Sequence, residues 1–218
     1  MLSSQRIKSI LERPRISRSR GDAATALALL GQDQVPNDDS VAGARVKLVP
    51  AAVLVPLIER PGGMTVLLTQ RTSELKHHAG QIAFPGGRRE PDDADMIACA
   101  LREAEEEVGV ARHAVDVLGQ LDPYVTITGY EVTPVVGVLS PLQSFKPDPV
   151  EVADVFEVPL SFLMDPANHR REQREYKGLT RAYYAMVYQE HYIWGATAGM
   201  ILNLFDVLSA HAPQHAGA

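Results

Sequence analysis

Glu103, Glu106 and Glu107 stand at i, i+3 and i+4, a spacing that gathers three carboxylates on one side of an α-helix. Such a set repels itself, and a helix alone supplies nothing to offset the repulsion. A divalent cation does, because hard cations such as Mg²⁺ take oxygen ligands and favour carboxylates. The acidic side therefore reads as a metal-binding surface, set against the plainer reading of a solvated glutamate-rich face. The spacing predicts a helix over residues 94–108 to carry it. On that helix Ala94, Ile97, Leu101, Ala104 and Val108 fall at three- and four-residue steps and form an apolar face opposite the glutamates. Gly109 follows as a left-handed C-cap.

A second set of charges lies upstream. Arg71, Lys76, His77 and His78 form a basic cluster, the complement an anionic phosphorylated substrate needs when its other side faces a metal. Gly86-Gly87 then either lets the backbone approach a phosphate or makes a sharp turn toward the acidic helix. Adjacent histidines point to opposite sides, so His77 and His78 fit a surface or phosphate-contact role better than metal ligation.

Together Gly87, Arg102-Glu103, Glu106-Glu107 and Gly109 resemble the Nudix box, the signature of metal-dependent hydrolases of diphosphates linked to another moiety. The loop before Arg102 is one residue longer than the general pattern, and either Asp93 or Glu90 stands for its first acid. Residues 67–87 are similar to the signature of the coenzyme A diphosphatase branch, through Leu67, Leu68, Thr69, Arg71, Gly80, Phe84, Pro85, Gly86 and Gly87. Thr72 stands where serine is usual, and Lys76 where arginine is usual; lysine keeps the charge and loses the planar fork that grips a phosphate. Trp194-Gly195-Ala196-Thr197 also looks like that branch, with Thr197 as N-cap of a final helix.

The resemblance covers residues 46–210. It implies the Nudix fold, an α/β fold in which an α/β/α sandwich surrounds a mixed β-sheet and the box forms a loop–helix–loop. It implies hydrolysis of coenzyme A, or of its acyl or oxidised forms, to 3′,5′-ADP and a 4′-phosphopantetheine, with Mg²⁺ or Mn²⁺. Glu103 and Glu107 are then direct metal ligands, and Glu106 binds directly or through water. Arg102 holds the loop through Asp93 or Glu90. Arg71 and Lys76 are candidate phosphate contacts, and Gly80, Phe84, Pro85, Gly86 and Gly87 are carried over as substrate-binding positions. The general base is open between Glu106, Glu151 and a hydroxide held by the metal. A sibling enzyme acting on ADP-ribose, dinucleotides or nucleoside triphosphates is the alternative; a Nudix-fold ligand sensor without turnover is another, disfavoured by the presence of all three box glutamates.

The elements that position these residues are legible in part. Residues 51–58 and 64–69 are apolar runs around Arg60-Pro61-Gly62-Gly63 and predict a hairpin, with Pro56 suggesting an edge, a bulge or an early end. Residues 115–121 and 131–139 read as strands, separated by a polar loop in which Tyr124 or Tyr130 could stack on a base but more simply packs. A proline-rich loop over 141–149 leads to Glu151 and a strand. A short helix opens at Ser161, the cluster Arg170, Arg171 and Arg174 reads as a charged loop or as a contact for the 3′-phosphate of coenzyme A, and residues 182–188 and 191–194 form a last hairpin. Ile201, Leu204, Phe205 and Leu208 face the core from the final helix.

Residues 1–45 read as an extension, with an amphipathic helix over 2–11 stopped by Pro14, a basic arm from Arg13 to Arg20, a second helix over 23–30 and a polar linker over 32–43; residues 211–218 are a tail. The 218 residues, 45% hydrophobic and 22% charged, suit one globular domain with terminal extensions. A formal charge of −6 argues against nucleic acid. No apolar run reaches transmembrane length, and no signal-peptide core is present. The lone Cys99, between two alanines, reads as a small core residue in a reducing compartment. The expectation is a cytoplasmic enzyme of a small-molecule substrate, with no membrane partner and with a homodimer open to it.

Overall fold

The computed structural model describes residues 2–14, 20–21, 48–75, 78–176 and 179–211. The expected helix over 23–30, the linker, Lys76, His77 and nearly all of the C-terminal tail lie outside them.

The centre of the fold is β2 (Val49–Arg60), a nearly unbroken apolar run because both of its faces are buried. Ala51, Val55 and Leu57 feed one core cluster, and Ala52, Leu54 and Ile58 feed another on the opposite side of the sheet. Along one edge β2 pairs in parallel with β8 (Tyr130–Leu139), in unbroken register from Val49↔Tyr130 to Ile58↔Leu139. Along its other edge it pairs antiparallel with β3 (Gly63–Arg71) and with β5 (Gly86–Arg88). The predicted hairpin is therefore present, from Leu57↔Val66 to Arg60↔Gly63. Pro56 neither ends nor bulges the strand: it sits between the stretch paired with β5, which ends at Val53, and the stretch paired with β3, which begins at Leu57. A residue without an N–H costs nothing in that gap.

The sheet is extended by β4 (Ile82–Ala83) and β9 (Val152–Pro159) on β3, and by β6 (Val115–Gln120) and β7 (Tyr124–Val125) on β8. The short β1 (Arg20–Gly21) runs parallel to β7. Helix α2 (Met96–Val108) covers one face of this mixed sheet, bringing Cys99, Ala100, Ala104 and Val108 into the second cluster. The other face is covered by α1 (Ser4–Leu11), α3 (Leu160–Leu163) and α4 (Gly195–Ser209), which contribute Ile7, Leu11, Leu160, Leu163, Ile201 and Leu204 to the first. The result is the expected α/β/α sandwich. Helix α1 is docked into that core, with Ile7 fully buried.

Two local expectations change, and the packing reading of Tyr124 holds. Arg170, Arg171 and Arg174 lie on a strand, β10 (Arg170–Tyr176), which pairs antiparallel with β11 (Leu179–Tyr188), itself paired with β12 (His191–Trp194). An exposed edge strand has no buried face to impose apolar alternation, so its sequence looks like a loop. Thr197 does not cap α4: the helix opens two residues earlier after an extended Trp194, and the Thr197 hydroxyl donates to Ile82 O at 2.9 Å inside the core. Tyr124 is buried and lies against Gly199, so it packs rather than stacking on a ligand. No helix among the described residues is long and apolar enough to cross a membrane.

Candidate active site

The acidic helix α2 starts where the Asp95 side chain accepts the Ala98 N–H at 2.8 Å, and it ends at Gly109, whose φ of 71° is the left-handed cap. Ala94 thus lies before the helix and is exposed, while the core face runs through Cys99, Ala100, Ala104 and Val108, with Ile97 and Leu101 at its margin. The glutamates are not one uniform exposed face. Glu107 is only 4% exposed, Glu103 is partly buried, and the Glu106 side chain is 57% exposed.

What Glu107 meets explains its burial. One carboxylate oxygen accepts the Gly86 N–H at 3.2 Å, and the other lies 3.5 Å from Arg71 Nη1. These contacts only partly offset desolvation, and the charges of Glu103 and Glu151 oppose ionisation too, so the Glu107 carboxyl is pushed up to about 7. Burial likewise pushes Glu103 up, against Arg102 and with the charges of Glu106 and Glu151 adding to it. Glu151, just before β9, is therefore part of the same acidic constellation although it is 44 positions beyond Glu107 in the chain. Its backbone is held there by Thr72, whose N–H donates to Glu151 O at 3.0 Å and whose hydroxyl donates to Val150 O at 2.9 Å.

Arg102 ties the loop to the helix. Its Nε and Nη2 donate to the two Asp93 oxygens, both at 3.0 Å, and Nη2 also donates to Arg88 O. Nη1 reaches Glu103 and Glu106, each at 2.9 Å. The choice between the two candidate acids resolves geometrically: Asp93 is buried against Arg102, while Glu90 is exposed and meets Asp93 through its backbone, its N–H donating to Asp93 Oδ2 and its carbonyl accepting the Asp93 N–H. The bidentate Arg102 contact holds the Asp93 carboxyl down at about 2. Beneath them the buried Cys99 thiol is pushed up to about 11 by desolvation, as suits an inert packing residue.

The two glycines before the box have different neighbours. A Cβ on Gly87 would stand 2.6 Å from the Glu103 carboxylate, and one on Gly86 would stand 2.5 Å from Ala52 O. Gly87 leaves room for a site carboxylate, and Gly86 lets β5 lie on β2 while aiming its N–H at Glu107.

Of the upstream positions, Arg71 reaches the site from the end of β3, and its Nε has no hydrogen-bond partner among the described residues. The Phe84 side chain does not line the site. Phe84 belongs to the main core, and Pro85 is buried with its carbonyl accepting the Leu54 N–H; both anchor the turn into β5. Gly80 is exposed in a turn, and His78 is exposed with Nδ1 2.8 Å from Gln81 Oε1. The Gly86 N–H and the Thr72 contacts are not legible in the sequence, which shows a strand end and a turn but not that both converge on Glu107 and Glu151.

The donors are oxygen only and their charges oppose one another, which fits a hard divalent cation. Among the described residues no three such side chains are already arranged as a metal-binding set; Glu106 is engaged with Arg102.

The sequence profile of a family described as NUDIX domain matches residues 48–179. The chain is 48% identical over 154 residues to a Photorhabdus laumondii protein bearing the name uncharacterized Nudix hydrolase NudL, covering 71% of this chain and 82% of that one. Its identity to the protein of the same name from Escherichia coli O157:H7 is 44%, covering 71% and 80%. A solved structure of a MutT/nudix family protein from Enterococcus faecalis matches with a TM-score of 0.50 at 16% identity, covering 98% of this chain and 78% of that one, a likeness of fold.

Proposed function

The chain belongs to the Nudix family and is a Nudix hydrolase of phosphorus anhydrides, and from that premise we propose that it hydrolyses the diphosphate of coenzyme A or of its acyl or oxidised derivatives, using Mg²⁺ or Mn²⁺. The observation that carries the metal-dependent chemistry is the buried Glu107 carboxylate, held by Gly86 N–H and Arg71 and crowded by the charges of Glu103 and Glu151. The substrate class rests on the resemblance of residues 67–87 and of Trp194-Gly195-Ala196-Thr197 to the coenzyme A branch. A lone buried thiol suits a reducing, cytoplasmic setting.

Glu103 and Glu107 would hold the cation, with Glu106 as third donor. When bound, a divalent cation offsets phosphate charge and lowers the pKa of water. Arg102 fixes Glu103 and ties the loop to the helix, a supporting role that positions the donors. Arg71, whose Nε has no hydrogen-bond partner among the described residues, offers its guanidinium to the substrate diphosphate. Water oxygen attacks one phosphorus as the bridging P–O bond breaks, and the proton from that water passes to a carboxylate, Glu151 or Glu106. The products are 3′,5′-ADP and the phosphopantetheine.

The test compares coenzyme A, ADP-ribose, NADH and ATP with Mg²⁺ and with Mn²⁺, using Glu107→Gln as control. Release of 3′,5′-ADP from coenzyme A, lost in the variant, supports the reading. Faster turnover of another substrate overturns the coenzyme A assignment while keeping the hydrolase. Tight binding without turnover of any of them would mark a sensor. If Glu151 takes the proton, Glu151→Gln lowers kcat by about 10²- to 10⁴-fold with KM little changed.

A further inference from the structure

Strand β10 is the outer strand of the three-stranded sheet, hydrogen-bonded along one edge to β11 and, among the described residues, to no strand along the other. Its sequence is Arg170-Arg171-Glu172-Gln173-Arg174-Glu175-Tyr176. Arg170, Arg171, Gln173, Arg174 and Glu175 are exposed. Among the described residues Arg171, Arg174 and Glu175 form no ion pair within the chain. A row of open N–H and C=O groups invites another strand, and charges on such an edge ordinarily repel one.

Here the charges select a partner instead. When a strand pairs antiparallel with its own copy about a two-fold axis normal to the sheet, the residue on the axis faces itself, and residues equally far on either side face each other. Side chains directly opposite interact, favourably for opposite charges and unfavourably for like ones. Placing the axis on Arg170, Arg171, Glu172, Arg174 or Glu175 sets that charge against its twin. Tyr176 is the last residue of β10, so an axis there would set none of Arg170 to Glu175 against the β10 of the copy. Gln173 is the remaining position, and it is uncharged. With the axis there, Glu172 opposes Arg174 of the copy and Arg171 opposes Glu175, each contact occurring twice. Every charge within two residues of the axis then meets its opposite.

We propose that the open edge of β10 is the interface with a second copy of this chain, paired antiparallel about a two-fold axis through Gln173. The two small sheets then join into one of six strands. Both copies keep the face bearing Glu172, Tyr183 and Trp194 on the same side, because residues of equal parity oppose one another. Glu172 is already held in place on that face by the Tyr183 and Tyr192 hydroxyls, at 2.9 and 2.6 Å. The interface lies outside the acidic constellation of α2, so it stands whether or not coenzyme A is the substrate.

Sedimentation velocity on the full chain reads the association directly. The wild type is expected at twice the 23.8 kDa chain mass. Arg171→Glu sets two acidic pairs across the seam and is expected to weaken association roughly tenfold or more. The double variant Arg171→Glu with Glu175→Arg restores it, which a merely misfolded variant would not do. Because Gln173 faces itself, Gln173→Cys is expected to give a covalent dimer under mild oxidation, whereas Arg171→Cys, two residues off the axis, is not. A monomer at every concentration, a dimer indifferent to charge reversal at position 171, or cross-linking at 171 in preference to 173 would each overturn the proposal.

Discussion

Arg102 and Asp93 show how one pair of side chains positions the carboxylates around it. The guanidinium is fixed bidentately by Asp93 below and spends its third nitrogen on Glu103 and Glu106 above. Removing one partner of a buried pair leaves an uncompensated charge, so Asp93→Asn is expected to cost about 3 kcal/mol at neutral pH. The pH dependence follows from the direction of the shift. The folded-state carboxyl lies at about 2, below the roughly 3.9 of an unfolded chain. Its contribution is therefore complete above about pH 4 and is lost as pH falls through the folded value of about 2. Urea denaturation of wild type and Asp93→Asn from neutral pH downward is expected to show a constant gap in stability that closes at the acid end. A gap that widens on acidification would show that Arg102 is held by something else.

At the scale of the element, β5 and the helix after it work as a unit, and the adjacent glycines separate what each supplies. Alanine at position 87 meets the movable end of Glu103, so Gly87→Ala is expected to fold with little loss of stability while displacing a carboxylate of the proposed metal site. Misplacement of about 1 Å can cost 10²-fold in rate, and that is the loss expected in kcat. Alanine at position 86 meets the backbone of β2, which cannot yield, so Gly86→Ala is expected to lose about 1–3 kcal/mol of stability. Thermal denaturation alongside diphosphate hydrolysis distinguishes the two; equal destabilisation by both would contradict the contrast. The sequence made α2 legible because Ala104, Val108 and Gly109 follow a helical period and a cap rule, and the hairpin legible because two apolar runs flank Pro61-Gly62. It left β10 hidden, since a strand without a buried face carries no period-two signal. It could not separate Asp93 from Glu90, because the choice depends on which carboxylate the loop carries beneath Arg102. The burial of Phe84 was equally out of reach, as a motif position has the same letter whether it faces a ligand or a core.

Over the whole molecule, the two faces of the central sheet divide the work. The face under α2 carries the acidic site and a compact cluster of small residues, Ala52, Cys99, Ala100 and Ala104, which lets the helix approach the sheet closely. The opposite face carries the larger cluster, and the N-terminal helix is one of its pieces. Ile7, Ile10 and Leu11 of α1 are buried there, and Leu11 lies close enough to β6 that a Cβ on Gly119 would stand 2.9 Å from it. The same end of the chain is tied down again at β1, where Arg20 pairs with Asp206 of α4 and lies 3.6 Å from Asp122. An amphipathic helix read from sequence alone looks like an appendage, because nothing in its own residues names the surface that receives its apolar side. Its burial assigns it to stability rather than to chemistry. Truncating a fully buried isoleucine removes its transfer free energy and leaves a cavity, so Ile7→Ala is expected to destabilise the protein by about 2–4 kcal/mol. Lys8→Ala, one residue on, breaks only an exposed 3.9 Å pair with Asp116 and is expected to cost less than about 0.5 kcal/mol. Because α1 packs on β6 and α4 rather than on α2, Ile7→Ala is expected to leave kcat and KM unchanged at temperatures where it is folded. Chemical denaturation and steady-state kinetics on the same preparations decide it: a loss of kcat in folded Ile7→Ala would show that the two faces of the sheet are coupled.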